Sequence, residues 1–331
     1  MKTDSSREKI NLKSAIILSI VSIIAGLIVS LGYSSILFAI IFIAICAGSL
    51  AALIHFECYE CKALRFAIPT CVVVLDWIFN GLYSLTGVFI VVLALMMFLV
   101  YEQGWEKVES VLGMTLISSA MIVAIFLTVG MQNEQGISAI EFYKSLYEDF
   151  KIYMLNSMSE YGEIYAEIGL EMPSNEDVMY MFDYLEGMLI SGIFVVGFVV
   201  VGVSSKAYSF ILKKCNSDIV KLEKWRFMPT PVYAYFYIVL EFLTMFLPPD
   251  LTTYTLCVSN LNIVFMPIFL YMGVVAVIKM ISERKKRGMP IAFTVICAFL
   301  MAMILPRVLI YIGVFYCIIA NKIKKIQGSN N

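Results

Sequence analysis

The stretch SAIILSIVSIIAGLIVSLGYSSILFAIIFIAICAGSLAALI, residues 14–54, runs for 41 residues without a charged side chain. A bilayer's hydrocarbon core is about 30 Å thick, and about 20 helical residues cross it. The stretch is too long for one crossing, so it predicts a helical hairpin. Two more blocks have hairpin length: residues 66–101, where Asp76 is the only charge, and residues 288–321, where Arg307 is the only charge. Residues 110–133, 187–205, 227–249 and 251–278 each suit a single crossing. The expected fold is an all-α membrane protein with about ten transmembrane helices.

Composition agrees. Hydrophobic residues make up 61% of the 331 and charged residues 15%, against about 45–50% and about 25% in soluble domains. Mean hydropathy is +0.88. Lipid accepts this apolar surface, whereas a soluble core of the same size could not hide it.

The basic residues orient the chain. Of its 24 Lys and Arg residues, only Lys144, Lys151 and Arg307 fall outside if the N-terminus is cytoplasmic, leaving 21 inside. Such a bias follows the positive-inside rule. It places the chain in the cell membrane as a multi-pass protein with both termini cytoplasmic. The first apolar block continues into a second span and has no small-residue cleavage site, so it reads as a retained helix rather than a leader.

Three regions follow: an N-terminal membrane bundle of about five helices (1–130), an acidic extracytoplasmic helical insert (131–186), and a C-terminal bundle of about five helices (187–331). The insert carries twelve Asp and Glu residues against Lys144 and Lys151. Within 137–158, Ile140, Tyr143, Tyr147, Met154 and Met158 recur at spacings near three and four, as on an amphipathic helix. Ser174 and Asp177 form a capping-box pattern that would start another helix. Glu163, Glu167 and Glu171 are spaced as a cation-attracting stripe or as a plain solvated face.

None of the eight cysteines lies in the acidic insert, which argues against a disulfide framework. His55, Cys58 and Cys61 supply three side chains of the kind zinc takes, but no fourth ligand is evident. A metal site, a redox pair and a plain interfacial turn all fit, and no metal or other cofactor is expected.

Chemistry concentrates in ionisable groups inside apolar segments. A charge at the bilayer centre costs about 2.5–3.5 kcal/mol on insertion scales and is usually retained for function. Asp76 lies ten residues past Phe66, roughly 15 Å along a helix, with Asn80 and Tyr83 extending its face. Glu241 follows Tyr233 and Tyr237 at helical spacing. Asn260 and Asn262 open the next span, and Arg307 follows Pro306 in the last block. Asp76, Asn80, Tyr237, Glu241, Asn262 and Arg307 are therefore the candidate ligand- or ion-binding residues. The same carboxylates could instead brace helices by pairing with Arg307 or with neutral donors.

Small residues recur every fourth position: Ser22, Gly26 and Ser30, then Ala44, Gly48 and Ala52. Such faces let helices approach closely in lipid, either within the bundle or against a partner membrane subunit. Pro69, Pro267 and Pro306 would interrupt helices locally.

The layout resembles that of the YybS-like family of bacterial membrane proteins. An acidic external insert is followed by the basic segment Lys221-Leu222-Glu223-Lys224-Trp225-Arg226 and the start Phe227-Met228-Pro229. The chain closes on a Gly-containing helix, Ile312-Gly313-Val314, with a basic exit. It departs from the family in lacking an acidic residue after that glycine and in ending with lysines rather than arginine. The resemblance implies a polytopic membrane fold and no particular activity. Its N-terminal helices look somewhat like substrate-capture subunits of energy-coupling-factor vitamin transporters.

Phosphate-binding loop, His-Glu-x-x-His and Gly-x-Ser-x-Gly motifs are absent, and one histidine leaves little acid–base equipment, so no enzyme is expected. Two readings remain. One is binding or transport of a small solute or cation at a polar site between helices. The other is a non-transporting scaffold or regulator acting through partner contacts. The bilayer is the common partner, and nothing points to nucleic acid.

Overall fold

The computed structural model describes residues 11–32, 36–56, 62–103, 107–132, 136–167, 174–215, 229–246, 253–283, 296 and 304–329. Every regular element among them is helical. In order they are α1 (Leu12–Ser30), α2 (Ile36–His55), α3 (Leu64–Asn80), α4 (Thr86–Gln103), α5 (Lys107–Met131), α6 (Ala139–Glu167), α7 (Asn175–Gly187), α8 (Leu189–Lys214), α9 (Pro231–Thr244), α10 (Thr253–Glu283) and α11 (Pro306–Ser329). Five segments are long and apolar enough to cross a membrane: Leu12–Ser30, Leu37–His55, Ser110–Met131, Leu189–Lys214 and Thr253–Met280. Thr86–Glu102, Pro231–Thr244 and Pro306–Ala320 are shorter apolar helices.

The side-chain distribution is that of a protein solvated by lipid. On α1, Ile17, Ile20 and Ile24 are about half exposed while Ser19, Ser22, Gly26 and Ser30 are buried. Large apolar groups outside and small or hydroxylated ones inside invert the pattern of a water-soluble helix. The inward hydroxyls cost little because each bonds a carbonyl one turn earlier, as Ser19 does to Ala15, Ser22 to Leu18 and Ser30 to Gly26. The chain is thus an all-helical protein with the make-up of a multi-pass membrane protein.

Two compact units divide it, Met1–Phe182 with Val196–Arg226, and Asp183–Val195 with Phe227–Asn331. In the first, the 14–54 stretch folds as α1 and α2, joined where Leu31 and Gly32 end α1. Gly32 has φ +73°, a conformation other residues adopt only at a steric cost. The two arms meet through a 2.7 Å contact between the Ser22 and Ser49 hydroxyls. Both small-residue faces are spent inside this unit. A Cβ on Gly26 would press on Val72 of α3, and one on Gly48 would lie 2.9 Å from the Tyr208 nitrogen of α8. Gly197 of α8 makes the same kind of approach to Ser119 of α5.

Residues 66–101 also form a hairpin, α3 and α4, turning at Gly81. Pro69 lies inside α3 without ending it. Helix α6 folds back on α5, with the Tyr143 hydroxyl donating to the Phe126 carbonyl at 2.8 Å. Tyr147 and Phe150 of α6 then pack edge-on against Phe182 of α7. The Ser174–Asp177 capping box forms as the sequence predicts. A second box, Ser138 with Glu141, starts α6. Only a turn at Met188 separates α7 from α8.

In the second unit α10 and α11 cross in backbone contact. A Cβ on Gly273 would overlap the Leu309 carbonyl, and one on Gly313 would overlap the Phe269 carbonyl. Around this crossing Val277 and Leu309 are buried, with Leu270, Val274, Ile278 and Ile312 packed against them. Pro267 lies within α10. Pro306 opens α11 rather than interrupting a helix, and the first turn is where its missing N–H is harmless. The first arm of the hairpin expected in 288–321 lies mostly outside the described residues, as do Cys58, Cys61, Glu171 and the side chains of Glu163 and Glu167.

Candidate functional site

Asp76 and Asn80 belong to the first unit, and Tyr237, Glu241, Asn262 and Arg307 to the second. Each group has its own partners.

Asp76 is 1% exposed, and both its oxygens are satisfied. Oδ1 accepts from Asn80 Nδ2 at 2.9 Å, and Oδ2 accepts from the Gly87 N–H at 2.8 Å. Gly87 is the second residue of α4, so the carboxylate caps the first turn of that helix, where free N–H groups and the helix dipole favour negative charge. Asn80 Nδ2 also donates to the Ser30 carbonyl at 3.0 Å, at the C-terminal end of α1. One carboxylate and one amide thus tie together the ends of α1, α3 and α4. Gly87 is required for this fit, because a Cβ there would lie 2.9 Å from both Asp76 Cβ and Val73 Cα.

The chain turns at Gly81, so Asp76 stands one turn from the end of α3. Tyr83 does not extend its face, since it lies past the helix end and is exposed.

Glu241 is different. It lies in the last turn of α9, half-buried, and takes three neutral donors. The Tyr237 hydroxyl donates to Oε1 at 2.8 Å, Asn262 Nδ2 donates to Oε1 at 3.0 Å, and the Tyr311 hydroxyl donates to Oε2 at 3.2 Å. Helices α9, α10 and α11 thereby converge on one carboxylate. Tyr237 is fully buried, with its ring 5.0 Å from that of Phe269. Asn262 is 8% exposed, and its Oδ1 is buried with no hydrogen-bond partner among the described residues.

Arg307 stands one turn before Tyr311 and is exposed. It forms no ion pair with Glu241; the pair Lys151–Glu148, at 3.1 Å, lies elsewhere. Asn260 is turned away from the carboxylate and donates to the Gly187 and Leu256 carbonyls. Tyr233 packs beside Phe265 instead of joining the cluster.

Two partners escaped sequence reasoning. Tyr311 is four residues past Arg307, a spacing that puts both on one face of α11, but attention to charge passed over the phenol. The Gly87 N–H carries no side-chain signal at all. His55 is buried, with Phe56, Phe98, Tyr101 and Tyr208 edge-on around its ring. Among the described residues no group of three His, Cys, Asp or Glu side chains could hold a metal ion. Comparison with protein-family models, curated proteins and solved structures finds no match to this chain.

Proposed function

We propose that the protein is a multi-pass membrane protein that binds, and in that way transports or senses, a small solute or ion at the polar cluster around Glu241. What carries the reading is the carboxylate itself. Charges among apolar groups are ordinarily paired, yet the half-buried Glu241 meets only neutral donors, beside an amide oxygen that has no donor among the described residues. Such a cluster lacks one positive or donor-rich group, which a ligand would supply. Asp76 does not share this property, since its oxygens and its electrostatic role are accounted for by the start of α4.

That contrast favours a second reading for the first unit. Its polar residues and small-residue faces act as internal bracing, as in a scaffold that works through partner contacts.

The topology belongs to the same proposal: ten crossings, both termini cytoplasmic and 131–186 outside. The 21-to-3 charge split supports it, and so does the layout shared with the YybS-like family. Reporter fusions after Ser159 and after Gln327 test it, with an external signal expected at the first and a cytoplasmic one at the second. An external C-terminus would remove the last hairpin.

For the ligand, the purified full chain is screened by thermal shift against amino acids, nucleosides, vitamins and salts. A stabiliser that acts on the parent protein and not on Glu241→Gln is the expected result. Equal responses in both proteins would leave the scaffold reading alone.

A further inference from the structure

The cluster around Glu241 has a surplus of acceptors. We infer that it is a site for one monovalent inorganic cation, of the lithium, sodium or potassium class, held by the Glu241 carboxylate and Asn262 Oδ1. The Tyr237 and Tyr311 oxygens stand beside it as supporting ligands. The inference rests on the proposed role of this cluster as the ligand site and names what fills it.

Three independent features call for positive charge. Glu241 is ionisable, half-buried, and bound only by two phenols and an amide. Asn262 Oδ1, on a side chain more than nine-tenths buried, has no partner although its own amide nitrogen bonds Glu241. Glu241 also lies in the last turn of α9, at the negative end of the helix dipole. A carboxylate, an orphan amide oxygen and a helix C-terminus all repel one another and all attract a cation.

Charge and size then narrow the class. The Glu241 carboxylate bonds only two phenols and an amide among the described residues, so a divalent ion would leave a net positive charge on this ligand set. Carboxylate, amide and phenol oxygens are hard ligands, the kind alkali and similar hard cations take. Tyr237 and Asn262 are packed inside the unit, and Gly273 and Gly313 hold α10 and α11 in backbone contact. An ion that sheds its water fits between these groups more readily than an organic ammonium. Arg307 is exposed one turn before Tyr311 and makes no ion pair with Glu241, so it does not fill the ion's place.

The test uses the full chain purified in detergent. Melting temperature is followed while lithium, sodium or potassium chloride replaces N-methyl-glucamine chloride at constant ionic strength, at two pH values. The expected result is a saturable rise with at least one of the three ions, lost in Glu241→Gln and in Asn262→Leu and kept in Asp76→Asn. Should those two variants fail to fold, Tyr311→Phe keeps the carboxylate and should raise the half-saturating concentration about fivefold, the weight of one ordinary hydrogen bond. A melting temperature that depends on pH but on none of the ions, with the pH effect lost in Glu241→Gln, would make this a proton site and overturn the inference. Stabilisation by an organic solute through Glu241, with no cation effect, would also overturn it and leave the ligand-site reading standing. A cation effect untouched by all three second-unit variants would place the ion elsewhere and overturn it. No response to ion, solute or pH in the parent protein would overturn the inference and the ligand-site reading together.

Discussion

Asn262 Nδ2 donates to Glu241 Oε1 at 3.0 Å, and the oxygen of the same amide is buried with nothing to accept from among the described residues. An amide carries two donors and an acceptor with two lone pairs, so Asn262 serves the carboxylate at the expense of its own oxygen. The arrangement is stable only if Glu241 is worth serving. Arg307, one turn before Tyr311 on the same helix, forms no ion pair with Glu241.

Arg307 should therefore weaken ligand binding if the ligand is positive. Two unit charges several ångströms apart in a protein environment interact by about 1–2 kcal/mol. Arg307→Gln should tighten cation binding by about fivefold to thirtyfold, read as the half-saturating concentration in the thermal-shift titration. If the residue were instead the structural partner of Glu241, the same substitution would lower the melting temperature and leave no binding gain.

Asp76 should behave as a helix cap. Asp76→Ala removes the acceptor for the Gly87 N–H and for Asn80, and leaving such donors buried costs about 1–3 kcal/mol. Asp76→Asn keeps one acceptor and should cost less. Gly87→Ala tests the same contact from the other side. Its Cβ would lie 2.9 Å from Asp76 Cβ and Val73 Cα, and overpacking of that kind costs about 1–3 kcal/mol. Detergent melting curves give the order: Asp76→Ala and Gly87→Ala well below the parent, Asp76→Asn between. Full stability in Asp76→Ala would remove the capping role.

The two capping boxes should respond to acid. The Ser138 hydroxyl, then its backbone N–H, holds the Glu141 carboxyl below its ordinary value of 4.5. The Ser174 hydroxyl and N–H do the same for Asp177 below 3.8. A carboxyl depressed in the folded state contributes stability above its unfolded value, and that contribution disappears as pH falls through the folded value. Acidification from about pH 5 to about pH 3 should therefore fray the first turns of α6 and α7. Hydrogen exchange at the Glu141 and Asp177 amides, which donate to Ser138 and Ser174, reads this directly. Protection that stays constant over that interval, relative to neighbouring amides, would show that the boxes contribute nothing.

Much of this architecture is legible in the sequence, because its causes are local. Forty-one uncharged residues force a hairpin whatever they pack against, and Ser174 with Asp177 caps a helix through atoms three residues apart. The small faces at Ser22, Gly26 and Ser30 announce a close approach, though not that Val72 is what meets Gly26. What stayed hidden depends on where helices stop. Asp76 and Glu241 look alike as carboxylates in apolar runs. The turn at Gly81 brings the α4 N-terminus to Asp76, whereas Glu241 is met by α10 and α11. The Gly87 N–H and the Ser30 carbonyl have no side-chain signature, and Tyr311 lies 70 residues from the carboxylate it serves.

The central claim is that Glu241, and not Asp76, meets the ligand, and infrared difference spectroscopy of the full chain reads it most directly. Exchanging N-methyl-glucamine for the stabilising alkali cation should shift a carboxylate stretching band in the parent protein. The shift should persist in Asp76→Asn and vanish in Glu241→Gln. The same band shift surviving in Glu241→Gln and disappearing in Asp76→Asn would contradict the account.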